Sequence, residues 1–203
     1  LLLVLVLLAG CGGGSAPTPG TPPPMPGTPA GNFAPTPARP AAQPTPQVLQ
    51  MTLAEAQSAL ETGDLARAEA GFRGLVQREP QNAEAQLGLG NALVRQNRYA
   101  DAEAAYKAAL GIKPDLVAAR SNLGVVYYQL GQLSKAADEF SAALKVSPND
   151  ATSTYLLGAV RLQEKNLAEA EKLLLKARDL DPKLPEPYYG LGALYQLKGQ
   201  KAE

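Results

Sequence analysis

Apolar positions divide the chain into three stretches. Residues 1–9, LLLVLVLLA, are apolar throughout, whereas residues 12–48 offer hardly a side chain that a core could bury. From residue 49 onward the apolar positions return at a fixed interval. Pro80, Pro114, Pro148 and Pro182 are each 34 residues apart. Eight residues before each stands a large apolar or aromatic side chain: Phe72, Tyr106, Phe140 and Leu174. Four further back stands an alanine: Ala68, Ala102, Ala136 and Ala170. The spacing predicts structural units starting near residues 49, 83, 117, 151 and 185, each closed by a proline that an α-helix interior excludes.

A 34-residue period with this internal order resembles the tetratricopeptide repeat (TPR), in which each unit is a pair of antiparallel helices. The stretch ARSNLGVVYYQLGQLSKAADEFSAALKVSP carries the resemblance best, with Leu123, Gly124, Tyr127, Gly131, Ala136, Phe140, Ala143 and Pro148 in order. The first unit departs from the pattern with Glu55-Ala56 in place of Leu-Gly, and the fourth has Arg161 where an aromatic is expected. The resemblance implies an all-α, right-handed TPR solenoid over residues 49–203. Its units would be 49–82, 83–116, 117–150 and 151–184, with a partial unit at 185–203, giving nine helices in all.

Several residues then acquire mechanical roles. Gly90, Gly124, Gly158 and Gly192 fall inside first helices, where glycine costs about 1 kcal/mol against alanine; such a cost fits a place where another helix approaches closely. Gly63, Gly131 and Gly199 fall in the tight turns, where positive φ favours glycine. Tyr106, Tyr127 and Tyr188 match core positions. The chain reaches Gly199 without a partner for its last helix, so Leu191, Leu194 and Tyr195 are expected to lack part of their packing and the natural chain to continue.

In such a solenoid the first helices line a concave groove. The resemblance places Leu87, Asn91, Arg95, Ser121, Val125, Tyr128, Tyr155, Ala159 and Tyr189 there. TPR modules that grip acidic C-termini use a clamp of Lys, Asn and Arg. Asn91 could serve, but Leu87, Ser121 and Val125 stand where basic or amide groups would be needed. The clamp is absent. A tyrosine-bearing, moderately apolar groove suits an extended or helical peptide or protein segment.

Composition narrows the chemistry. Residues 49–203 hold 18 Lys+Arg against 19 Asp+Glu, so nothing in the charge balance favours phosphate binding, and no nucleic-acid partner is expected. The chain has no histidine and one cysteine, which removes imidazole bases, His-dependent nucleophiles and thiolate zinc clusters. No Gly-rich phosphate loop ending in Lys-Ser/Thr is present. Asp138 and Glu139, or Glu169 and Glu171, have no basic partner or pocket implied. No enzyme activity, cofactor or metal is expected.

The single cysteine, Cys11, follows Leu8-Ala9-Gly10, and this tetrapeptide resembles the lipobox of bacterial lipoproteins. The preceding apolar run is too short to span a bilayer but has the length of a signal-peptide core. Since the sequence opens on Leu1, residues 1–11 read as part of a signal peptide. The resemblance implies that Cys11 becomes an acylated N-terminus, with two or more chains needed for stable anchoring. Gly12, rather than Asp, follows it, which in a host with two membranes implies the outer membrane, facing the periplasm. Residues 12–48 contain twelve prolines and one charge, Arg39, and read as a disordered Pro/Gly-rich tether. Fully extended at about 3.1 Å per residue it would reach roughly 110 Å.

The expected function is a membrane-anchored adaptor or assembly factor of the bacterial cell envelope, possessing a protein or peptide partner. Its layout resembles that of TPR lipoproteins, which include the pilotins of type IV pilus assembly. Two other readings stay open: the N-terminal arm of a longer envelope enzyme, and a self-assembling scaffold.

Overall fold

The structure, a computed structural model, describes residues 46–199. Cys11, almost all of the proposed tether and residues 200–203 lie outside the described residues. The described chain runs α1 (Pro46–Leu49), α2 (Leu53–Glu61), α3 (Leu65–Arg78), α4 (Ala83–Arg95), α5 (Tyr99–Ile112), α6 (Val117–Gln129), α7 (Leu133–Val146), α8 (Ala151–Gln163), α9 (Leu167–Leu180) and α10 (Glu186–Leu197). No strand occurs among the described residues.

The 34-residue interval sets these boundaries. Helices α3, α5, α7 and α9 each have 14 residues. Each ends two residues before its proline, because the residue preceding a proline is pushed out of the α region. Glu79 and Asp181, for example, have φ/ψ of −130/73° and −140/92°. Asn82 and Asp150 then restart the chain as N-caps, accepting from the backbone N–H of Ala85 (2.9 Å) and Ser153 (2.7 Å). The first unit starts later than the interval alone suggests. A capping box between Thr52 and Glu55 opens α2 at Leu53, and the short α1 precedes it, lying against α3.

The turn inside each unit has one conformation throughout. Gly63, Asn97, Gly131 and Lys165, at 34-residue intervals, have φ of 84°, 61°, 71° and 61°, and Gly199 continues the series at 67°. In each of the first four turns the next N–H bonds back to a carbonyl five residues earlier, as from Arg98 to Leu93 at 2.9 Å, the Schellman arrangement that closes a helix. Lys165 holds this left-handed geometry against a steric cost of about 1–2 kcal/mol.

Helices of one unit pack as an antiparallel pair, and each second helix also packs on the first helix of the next unit. First helices also touch first helices of neighbouring units (α2 with α4, α4 with α6, α6 with α8, α8 with α10), whereas no second helix touches another second helix among the described residues. The first helices therefore form the closely spaced, inner layer.

Small residues make that spacing possible. Phe72, Tyr106, Phe140 and Leu174 are essentially buried, as are the four alanines one turn before them. A Cβ built on Gly124 would stand 2.7 Å from the Phe140 ring. Gly90 faces Tyr106 more closely, and Gly88 faces Phe72 of the preceding unit more closely still. Phe72 thus presses on the first helix of the next unit, Tyr106 and Phe140 on that of their own, and Leu174, between Gly158 and Gly190, on both. At Gly192 the position is open, with nothing within 4 Å.

Two expectations for the last helix need correction. Leu191 and Leu194 do not lack packing: α9 and α8 bury them, and Leu194 is 0% exposed. Tyr188 is not in a core. It is 47% exposed because its side of α10 faces no described helix, and its hydroxyl donates to the Pro182 carbonyl at 3.1 Å.

The Cβ contacts make the glycines unequal. Gly124→Ala should destabilise the fold by about 1–3 kcal/mol through overpacking. Gly192→Ala should be neutral, or stabilising by up to about 1 kcal/mol through helix propensity. Urea unfolding of the two variants beside the parent checks the contrast.

Candidate peptide-binding groove

The inner layer presents one stripe of side chains per first helix, at spacings of three or four residues that share a helix face. From α4 come Leu87, Asn91 and Arg95; from α6, Ser121, Val125 and Tyr128; from α8, Tyr155 and Ala159; from α10, Tyr189. Their exposure differs widely. Tyr189 is 76% exposed and Arg95 is exposed, while Leu87, Asn91, Tyr128 and Ala159 are half-buried. Ser121, Val125 and Tyr155 are nearly closed off, Tyr155 at 8%. Tyr155 therefore belongs to the floor of this face rather than its open surface, packing into the cluster formed with Leu174 and Leu191.

Several of these groups are held by neighbours that sequence reading missed. Asn91 Oδ1 accepts from the Tyr106 hydroxyl and from Asn122 Nδ2, both at 2.8 Å. Burial pushes the Tyr106 phenol well above its ordinary pKa, so it remains a donor. The Ser121 and Ser153 hydroxyls share a buried hydrogen bond of 2.7 Å, tying α6 to α8. The Arg95 guanidinium donates to the Leu60 carbonyl in the last turn of α2, a site where the helix dipole favours a cation. Burial, with smaller contributions from Tyr128 and Glu186, pushes the Tyr155 phenol up to about 12. The 34-residue interval places Glu186 three repeats after Glu84, the one signal that could have found it.

Outside this face the charged groups tie units together. Burial opposes ionisation of Glu69, but hydrogen bonds from Gln96, Arg73 and Arg98 outweigh it and hold the carboxyl below its ordinary pKa. Gln96 Nε2 at 2.9 Å and Arg98 Nη1 at 2.8 Å reach Glu69 from the next unit. One repeat on, Glu103 accepts from the Tyr127 hydroxyl at 3.0 Å, and two further on Glu171 pairs with Lys198. Ala137 interrupts the series, and Arg161 of the fourth unit turns instead to Glu164 (2.8 Å) and Glu169 (3.1 Å). The expectation that Glu139, Glu169 and Glu171 have no basic partner is corrected: Arg120, Arg161 and Lys198 pair with them.

Comparison with known proteins agrees with this geometry. Residues 53–117 and 89–161 match two sequence profiles, each described as tetratricopeptide repeat. This part of the chain belongs to the tetratricopeptide repeat family. No curated protein matches the TPR chain in sequence. Among solved structures it is similar to MamA (residues 41 to the end) from Desulfovibrio magneticus RS-1, with 25% identity, 72% of this chain and 82% of that one covered, and a TM-score of 0.65. It is also similar to Pseudomonas aeruginosa pilF, with 19% identity, coverage of 75% and 70%, and a TM-score of 0.68. A third structure is YrrB, described as a TPR protein with an unusual peptide-binding site, at 24% identity, coverage of 72% and 76%, and a TM-score of 0.60. The TPR solenoid of antiparallel helix pairs is therefore shown. Among the described residues, no helix is long and apolar enough to cross a membrane, and no three His, Cys, Asp or Glu side chains gather to hold a metal ion.

The Asn91 node generates a stability test. Asn91→Leu should cost about 1–3 kcal/mol, because the buried Tyr106 hydroxyl loses its acceptor, and adding Tyr106→Phe should recover much of that loss. Urea unfolding of the single and double variants checks it.

Proposed function

We propose that this protein is a lipid-anchored adaptor of the bacterial cell envelope that holds a peptide or protein segment in the concave face of its TPR solenoid. The observation that carries the binding part is the inner layer of first helices. It combines an exposed tyrosine, Tyr189, with half-buried Leu87, Tyr128 and Ala159, and its polar groups are fixed in place by neighbours. Tyrosine gives large contact area and a polar tip at low entropic cost. Asn91 uses its side-chain oxygen twice inside the fold, which leaves its amide N–H groups for a ligand carbonyl. YrrB, a solenoid of similar fold, is described as having a peptide-binding site.

The anchoring part rests on Leu8-Ala9-Gly10-Cys11 and on the Pro/Gly-rich residues that follow. A tether of that composition would let the groove search the space beside an outer membrane from its periplasmic side. The narrower role, pilotin-like in type IV pilus assembly, rests on the layout of lipobox, tether and TPR units. The similarity to pilF is a similarity of fold.

A photo-crosslinking residue at Tyr189 of the full chain, expressed in cells, tests the groove, with exposed Asp138 on α7 as the control. One dominant envelope protein captured from Tyr189 alone is the expected result, together with loss of the chain from the membrane fraction in Cys11→Ala. Equal labelling from both positions, or self-crosslinks only, would contradict the adaptor reading. A membrane-bound Cys11→Ala would contradict the anchor.

A further inference from the structure

Glu186 lies in the first turn of α10, on the groove side of the last helix, beside Tyr155. Its carboxylate is half-buried, and its Oε2 atom is shut off from water without accepting a hydrogen bond. The other buried side-chain atom without a hydrogen bond, Arg161 Nε, stands 3.1 Å from Glu169 Oε2 and is compensated by that ion pair. Among the described residues Glu186 forms no ion pair, whereas Glu69, Glu103, Glu139, Glu169 and Glu171 all do. Arg178 of α9 is committed to Asp179, and Lys183, three residues before Glu186 in the chain, forms no ion pair with it. The groove's own cation, Arg95, is bound at the other end to the Leu60 carbonyl.

A carboxylate that has lost part of its water and gained no partner is an unbalanced charge. The desolvation that usually opposes a buried ion pair has already occurred on one side in folding, so an incoming cation recovers more of its Coulombic attraction. The surroundings suit a cation in a second way. Tyr155 adjoins Glu186, Tyr128 lies beside Tyr155, and Tyr189 is one helical turn along α10; the faces of such rings attract ammonium and guanidinium groups. Burial keeps the Tyr155 phenol protonated at neutral pH, so the ring adds no charge of its own.

We propose that the segment bound in the groove carries a lysine or arginine that pairs with Glu186, with apolar residues beside it lying along Tyr128, Tyr155 and Tyr189. The inference rests on the concave face being the binding face. It assigns that face a basic ligand, the opposite of the acidic termini gripped by a Lys-Asn-Arg clamp.

A phage-displayed random dodecapeptide library, selected on the full chain, tests it. Selected peptides that compete with one another, and whose binding Tyr189→Ala weakens, should carry Lys or Arg at one fixed position. Replacing that residue by Gln should lower affinity for the parent about tenfold, as for a close charge pair. In Glu186→Gln the same replacement should matter less than about twofold, while Glu84→Gln, the equivalent exposed position on α4, should behave as the parent. Groove-bound peptides lacking a fixed basic position, or an undiminished Lys-to-Gln effect in Glu186→Gln, would overturn the proposal and leave the groove standing. No peptide sensitive to Tyr189→Ala would overturn both. The replacement on the peptide uses only the parent protein, so the test survives any folding defect in the variant.

Discussion

The fold depends on one contact made four times: a large side chain of a second helix wedged against a glycine of a neighbouring first helix. Phe72, Tyr106, Phe140 and Leu174 occupy the wedge, and each is 0% or 1% exposed. The contact works because its partners are small: Gly90, Gly124 and Gly158 in the same unit as Tyr106, Phe140 and Leu174, and Gly88 and Gly190 in the unit after Phe72 and Leu174. A solenoid has only nearest-neighbour interfaces, so each wedge contributes to a sum along the stack. By letting first helices approach one another while second helices stay apart, the wedges also create the inner face.

That face inherits its chemistry from the same packing. Tyr106 is the wedge of the second unit, and its hydroxyl reaches through to Asn91 and so fixes a groove amide. Ser121 and Ser153 seal a seam between first helices, and Tyr155 floors the groove above Leu174 and Leu191. At α10, among the described residues, Gly192 faces open space, Tyr188 and Tyr189 are exposed, and Glu186 holds a carboxylate that no side chain compensates.

Much of the fold was legible because it repeats. The prolines, the wedge residues and their alanines fall on one interval, and backbone sterics turn that interval directly into helix ends. The same interval implied positive φ at Asn97 and Lys165, yet residue identity hid it, since only glycine advertises that geometry. The groove was legible only as a register. Helix position told which residues share the face but not how deeply neighbours cover them, so buried Tyr155 and exposed Tyr189 looked alike. Asn122 was silent because its role comes from a helix of an adjoining unit, and Glu186 was marked only by its register with Glu84. The packing of Leu191 and Leu194 was misjudged for a related reason: α8 and α9 suffice to bury them without a partner for α10.

The most direct measurement is a double-mutant cycle between Gly124 and Phe140, read by urea unfolding. If the ring wedged on the glycine governs the stacking, Phe140→Leu should relieve part of the clash, and Gly124→Ala should cost at least about 1 kcal/mol less in that background than in the parent, a coupling expected only of residues in contact. Additive effects of the two substitutions would contradict the account, because the small residue and the large one would then act independently.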